Sequence, residues 1–181
     1  MPLSTGPYAL EGSITLRTSR DGLAAQAGHD LTIHIARWSG ELVIGADFAP
    51  VSLDARVELD SLVVRAGTGG IKPLTDRDRR EILGTARKVL STDRHPVATF
   101  TADGFSPTAD GGTIEGALTL AGQSRPLRLE VRQIGPDRYL ATTTVRQTSF
   151  GIKPYSGFLG ALKVSDDVAV EAEVGLTPLS G

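Results

Sequence analysis

The chain has no cysteine, which removes disulfide frameworks, thiolate zinc sites, iron–sulfur clusters and a cysteine nucleophile together. Aromatic residues are scarce, at 5% of 181 residues. An excess of one charge is also missing: 19 Lys and Arg stand against 21 Asp and Glu, for a formal net charge of -2. Without a basic surplus, electrostatics nominates neither nucleic acid nor an anionic membrane as partner. The opening MPLSTGPYALEG lacks the basic stretch and the apolar run of about 7 to 15 residues that mark a signal peptide. Nor does any segment approach the roughly 20 apolar residues of a spanning helix. A cytoplasmic chain with no stable membrane insertion, folded as one domain over residues 1–181, is therefore the expectation.

Glycine (21) and proline (10) are plentiful, and they fall between apolar stretches, as punctuation for many short elements does. Within those stretches apolar residues alternate with polar ones at period two, the signature of half-buried strands. Tyr8, Leu10, Ile14 and Leu16 share one parity; Leu23, Ala25, Ala27, His29, Leu31, Ile33 and Ile35 share another face. After Arg37 the parity flips to Trp38, Leu42 and Ile44, which predicts a bulge or corner near residues 36–40. Val51 to Leu59 alternate cleanly and shift phase at Ser61. Further strands are expected around Phe100, Leu118, Leu129, Tyr139–Val145 and Val168–Leu176. Eight or nine strands in sequence, with turn signals at Asp110-Gly111-Gly112 and Ala121-Gly122-Gln123, predict an all-β, up-and-down antiparallel barrel, with a sandwich as the alternative.

Two segments break the pattern. Between Thr75 and Leu90, Ile82, Leu83, Ala86, Val89 and Leu90 fall at helical spacing behind Thr75 as N-cap and Asp78 three residues on. Arg77, Arg79 and Arg80 interleave with Asp76, Asp78 and Glu81, so they read as a solvated helix face and not as a nucleic-acid patch. The second segment, TSFGIKPYSGFLGALKVSD over residues 148–166, carries Phe150, Tyr155 and Phe158 and repeats Gly70-Ile71-Lys72-Pro73 as Gly151-Ile152-Lys153-Pro154. A long connection with three rings predicts a structured lid or rim.

An eight-stranded barrel is either filled by its own side chains or holds one small ligand. The faces read as inward carry Gly12, Ala25, Ala27, Ala55, Ala98, Ala102, Gly116, Ala141, Thr143 and Ala172, a thin filling that leaves room for an apolar cavity unless larger residues cross the lumen. Such a cavity suits a hydrocarbon chain. Each buried methylene contributes roughly 0.8 kcal/mol against an association cost of about 4 to 15 kcal/mol, so a chain of roughly 15 carbons or more is needed to bind. Trp38, Phe100, Phe150, Tyr155 and Phe158 are the expected apolar contacts, with His29, Lys72 and Lys153 as polar ones.

Catalytic and metal patterns are weak. Three histidines occur, and His29 and His34 lie five apart on one predicted strand, so their side chains leave opposite faces. No hydrolase elbow, phosphate loop or dinucleotide fingerprint is present. No metal, cofactor or catalytic residue is expected. His29 as acid or base of a barrel enzyme, and a collapsed barrel acting through its outer surface, are the competing readings.

Gly28-His29-Asp30-Leu31, Arg77-Asp78, His95-Pro96 leading to Phe100, Gly116-Ala117-Leu118-Thr119-Leu120 and Ser124-Arg125-Pro126-Leu127 together resemble the YceI-like family. The resemblance implies a lipocalin-like, eight-stranded antiparallel barrel with one helix, binding an isoprenoid or related long-chain lipid in its lumen, as a carrier and not an enzyme. In that likeness His29 matches the family's histidine after the first strand, and Arg77 and Asp78 its Arg-Asp pair. Several members dimerise, so a homodimer lies within the family's range. Many carry an export signal and a tryptophan in the opening segment; this sequence shows neither.

Overall fold

A computed structural model of the chain describes residues 3–179. The strands are β1 (Gly6–Arg17), β2 (Arg20–Asp21), β3 (Asp30–Ile35), β4 (Trp38–Ile44), β5 (Pro50–Glu58), β6 (Leu62–Thr68), β7 (Val97–Thr108), β8 (Gly111–Leu120), β9 (Gln123–Gly135), β10 (Arg138–Arg146), β11 (Ser156–Gly157), β12 (Leu162–Val164) and β13 (Asp167–Pro178). One helix, α1 (Asp76–Val89), joins β6 to β7.

Antiparallel pairing runs β1–β4–β5–β7–β8–β9–β10–β13 and returns to β1, closing an eight-stranded barrel. The first and last strands make the seam, in register from Tyr8 opposite Pro178 to Arg17 opposite Ala169. The two parity shifts in the sequence have a common structural meaning. β3 and β4 lie along the same edge of β1, with Ile35 opposite Ile14 and Ile44 opposite Gly6, and they are bent apart at Ala36 and Arg37. β5 and β6 lie beside them as a second bent strand, turned by a 3-10 segment at Leu59–Ser61. Buried Ser61 stabilises that corner: its hydroxyl donates to the Glu58 carbonyl at 2.7 Å and accepts from the Arg37 N–H at 2.9 Å.

β5 pairs with β7, whereas β6 diverges from it. α1 fills this split. Its Ile82, Leu83 and Ala86, with Leu90 just past its end, pack on the buried cluster of Ile14, Ile33, Ile35, Leu62 and Val64. The helix begins where the sequence predicts, with Thr75 and Asp78 forming a reciprocal capping box. The solvated-face reading of Arg79 needs correction: its guanidinium donates to the carbonyls of Val64 at 2.8 Å and Arg65 at 3.0 Å, covering the open edge of β6.

The strand expected from Leu23 begins only at Asp30, because residues 25–27 form a 3-10 turn. Alanine has little preference for a pleated surface, and Gly22, at φ +95°, brings the chain against the Ala161 carbonyl more closely than any side chain allows. The Ala24 N–H then donates to that carbonyl at 2.8 Å. The segment 148–166 is structured, as expected: β11 and β12 pair with each other and with β2 in a small second sheet at the helix end of the barrel.

Candidate functional site

The lumen is hollow. A cavity of about 1190 Å³ runs through the barrel, above the usual 300–1,000 Å³ of small-molecule pockets. Alternation builds its wall: Tyr139, Ala141, Thr143 and Val145 of β10, and Val168, Val170, Ala172 and Val174 of β13, all line it. Of the small residues expected inside, Ala27, Ala55, Ala98, Ala141, Thr143 and Ala172 do so. Gly116 instead accommodates Phe100, since a Cβ there would lie 2.8 Å from the ring's Cζ. Ala102 is buried in the same cluster as Leu53 and Phe100.

Polarity is distributed unevenly along the cavity. Among the lining residues the acidic and basic side chains, Arg20, His29, Lys72, Asp78, Glu81 and Lys163, all lie at the helix end. The opposite end offers Ser106, Thr108, Thr113, Gln133 and Tyr139. Burial, with the Asp137 charge adding to it, pushes the Tyr139 phenol above its ordinary range. Between the ends the wall is aliphatic, apart from Thr143 and the Trp38 and Phe100 rings.

The helix end is held by backbone contacts. Arg20 donates from Nη1 to the Gly28 carbonyl at 2.5 Å, and its own N–H donates to Asp30 at 2.9 Å. His29 lies 2.7 Å from the Lys72 carbonyl through Nε2; a carbonyl only accepts, so Nε2 carries the proton. Its ring packs on Gly70, whose φ of +75° and missing Cβ make that approach possible. Asp78 is held below the usual carboxylate range, first by the Thr75 N–H and then by the Thr75 hydroxyl, with smaller contributions from His29 and Arg77 opposing its partial desolvation.

Six of the residues singled out from the sequence line this cavity: His29, Trp38, Lys72, Phe100, Tyr155 and Phe158. Phe150 does not. It is 3% exposed and packs behind the wall with Leu59, Ala98, Leu120, Val145 and Ile152. Lys153 is exposed and outside the lining, and the repeated tetrapeptides differ in environment: Ile71 is exposed while Ile152 is buried. Gln147, which lines the cavity and donates to the Ser165 carbonyl at 3.0 Å, was not anticipated. Its odd number continues the parity of Tyr139 to Val145, and that was the signal available. Arg20, at the mouth, has no such periodic signature.

The YceI-like domain model matches residues 13–176. The chain belongs to the YceI-like family. Solved structures with the same fold include BcnA of Burkholderia cenocepacia, at 12% identity and a TM-score of 0.62 over 92% of this chain and 96% of that one. The YCEI protein of Campylobacter jejuni is similar at 15% identity and a TM-score of 0.59, over 82% of this chain and 85% of that one. A mutant of the latter gives 16% and 0.60 over the same shares of the two chains. No curated protein matches the chain.

Proposed function

We propose that this YceI-like barrel binds a long-chain hydrophobic ligand, an isoprenoid or similar lipid, and carries or stores it without chemical change. The observation behind this reading is an apolar lumen of about 1190 Å³ whose acidic and basic lining residues lie at one end only. An amphiphile fits that polarity in one orientation. Its tail lies against Trp38, Phe100 and the aliphatic wall, passing Tyr155 and Phe158, and its head group lies near Lys72, Lys163 and Arg20. Roughly 0.8 kcal/mol for each methylene buried favours long chains over short ones. His29 acts as a bracket of the mouth, because its Nε2 is committed to the Lys72 carbonyl.

Organic extraction of the purified protein followed by mass spectrometry tests the reading. Ala141 and Ala172 face each other across β10 and β13, and both line the lumen. The A141F/A172F double variant should fold and yield no co-purifying lipid, while the wild type yields a long-chain species. Equal yields from a folded variant and the wild type, or an empty wild-type barrel that takes up no long-chain fluorescent probe, would remove the basis for it.

A further inference from the structure

Two hydroxyls of the barrel interior are taken up by its own backbone. Thr143, part-way along the lumen wall, donates to the Arg128 carbonyl at 2.7 Å. Buried Tyr8 donates to the Ser4 carbonyl at 3.0 Å and accepts from the Ser4 N–H at 2.7 Å. The end remote from the helix differs. Ser106, Thr108, Thr113 and Tyr139 line the cavity there, and their hydroxyls have no hydrogen-bond partner among the described residues.

Register sets these groups in facing pairs on four consecutive strands. Ser106 of β7 lies opposite Thr113 of β8, and Gln133 of β9 lies opposite Tyr139 of β10. Gln133 donates from Nε2 to the Gly135 carbonyl at 3.2 Å, which leaves its Oε1 to accept. The Tyr139 phenol, held above its ordinary range by burial and then by the Asp137 charge, stays an uncharged donor. Thr113 and Tyr139 are partly buried, whereas Ser106, Thr108 and Gln133 are exposed, so the group grades from lumen wall to rim. Among the described residues no acidic or basic side chain lines this end. Arg132 and Arg138, beside these residues in sequence, alternate with the lining residues Val131, Gln133 and Tyr139 and leave on the outer face, Arg138 toward Glu173.

We propose that this end is a second polar subsite and that the lumen takes long chains oxygenated at both termini: a head group among the acidic and basic side chains of the helix end, and an uncharged hydroxyl or carbonyl at the far terminus, bonded by Tyr139, Thr113 and Gln133. The inference rests on the proposed lipid reading and narrows it, from any long chain to one whose length and terminal group are read together. A plain alkyl terminus at Tyr139 displaces water from these groups and gives them no partner in return. A hydroxyl both donates and accepts, so it serves the Gln133 Oε1 and the Tyr139 phenol at once. Because each such bond replaces one to water, the preference it confers is roughly two- to tenfold in affinity.

Displacement of a fluorescent long-chain probe from the full chain tests it, with straight-chain fatty acids and their ω-hydroxy counterparts compared at equal carbon number across a series of lengths. The ω-hydroxy acid should bind roughly two- to tenfold more tightly than the plain acid over a limited range of lengths, with no gain for chains that end short of Tyr139. Y139F and T113V, each checked for a cooperative thermal transition, should bring the ratio toward one at those lengths. The ratio is taken within each protein, so a change in general affinity for chains does not enter it. The inference is overturned, with the lipid reading intact, when plain acids bind and the ω-hydroxy acids gain at no length, when the gain is the same at every length, or when both folded variants keep it. A wild type that binds neither the probe nor either series overturns the lipid reading and this inference with it.

Discussion

Thr75 and Asp78 exchange three hydrogen bonds at the start of α1: the Thr75 N–H and hydroxyl each reach the Asp78 carboxylate at 2.8 Å, and the Asp78 N–H donates back to the Thr75 oxygen at 3.2 Å. Removing an N-cap of this kind costs about 1 kcal/mol, so Thr75→Ala should lower the unfolding free energy in urea by that amount while Thr75→Ser retains most of it. The same bonds hold the Asp78 carboxyl low, as the Thr148 hydroxyl and N–H do for Asp166. A depressed carboxylate contributes stability above its unfolded pKa of about 3.9, and that contribution is lost as pH falls through the lower folded value. Acid unfolding followed by circular dichroism should therefore show its steep limb below about pH 4, and Thr75→Ala, which removes the hydroxyl and keeps the N–H, should move the Asp78 titration only part of the way back toward the unfolded range in NMR. A carboxyl chemical-shift titration identical in the variant and the wild type would show that the Thr75 hydroxyl does not contribute, leaving the backbone N–H that alanine retains as the cause. Thr75 could be read from sequence because a cap needs only local spacing. Arg20 could not, because its partners at Gly28 and Gly69 depend on where two separate turns meet.

At the level of elements, the split between β6 and β7 is the irregular part of the barrel, and Arg79 covers what the split exposes. An open strand edge offers unpaired backbone groups to other chains; here the guanidinium takes the Val64 and Arg65 carbonyls. Hydrogen bonds to a charged group contribute about 1.5 to 3 kcal/mol, and the partial exposure of this one places it toward the lower figure. Arg79→Ala should destabilise the barrel by roughly that much and raise hydrogen exchange along β6 and α1 before the rest of the sheet. Uniform exchange across the barrel would argue against a local clasp. Such a contact leaves no trace in a helical repeat that places Arg79 among alternating charges. The strands themselves were legible, including both corners, because one buried face imposes period two. The stretch 23–29 also alternates, yet it turns: Gly22 and Gly28 make close approaches to Ala161 and Leu162, far along the chain, that override the local pattern. Inward positions identified the wall of the cavity, but which end carries charge depends on how three loops assemble around the mouth.

Over the whole molecule, the barrel exists only when β13 returns to β1. Truncation before Asp167 would leave β1 and β10 with open edges and the apolar wall of β13 missing, so the shortened chain should fail to fold; a cooperative thermal transition in that fragment would contradict closure as the organising contact. The closed barrel couples loading to stability. A ligand that binds only the folded state stabilises it by about 2.7 kcal/mol at one hundred times its Kd. For a chain of this size each kcal/mol raises Tm by about 2 to 4 °C, so saturation should raise Tm by roughly 5 to 11 °C. Trp38, the sole tryptophan and a lining residue, should shift its emission over the same concentration range. In A141F/A172F both responses should vanish together, since the two phenyl groups occupy the space a tail would take. A Tm increase that persists in the filled variant would locate the ligand on the outer surface, where neither the lumen nor Trp38 participates.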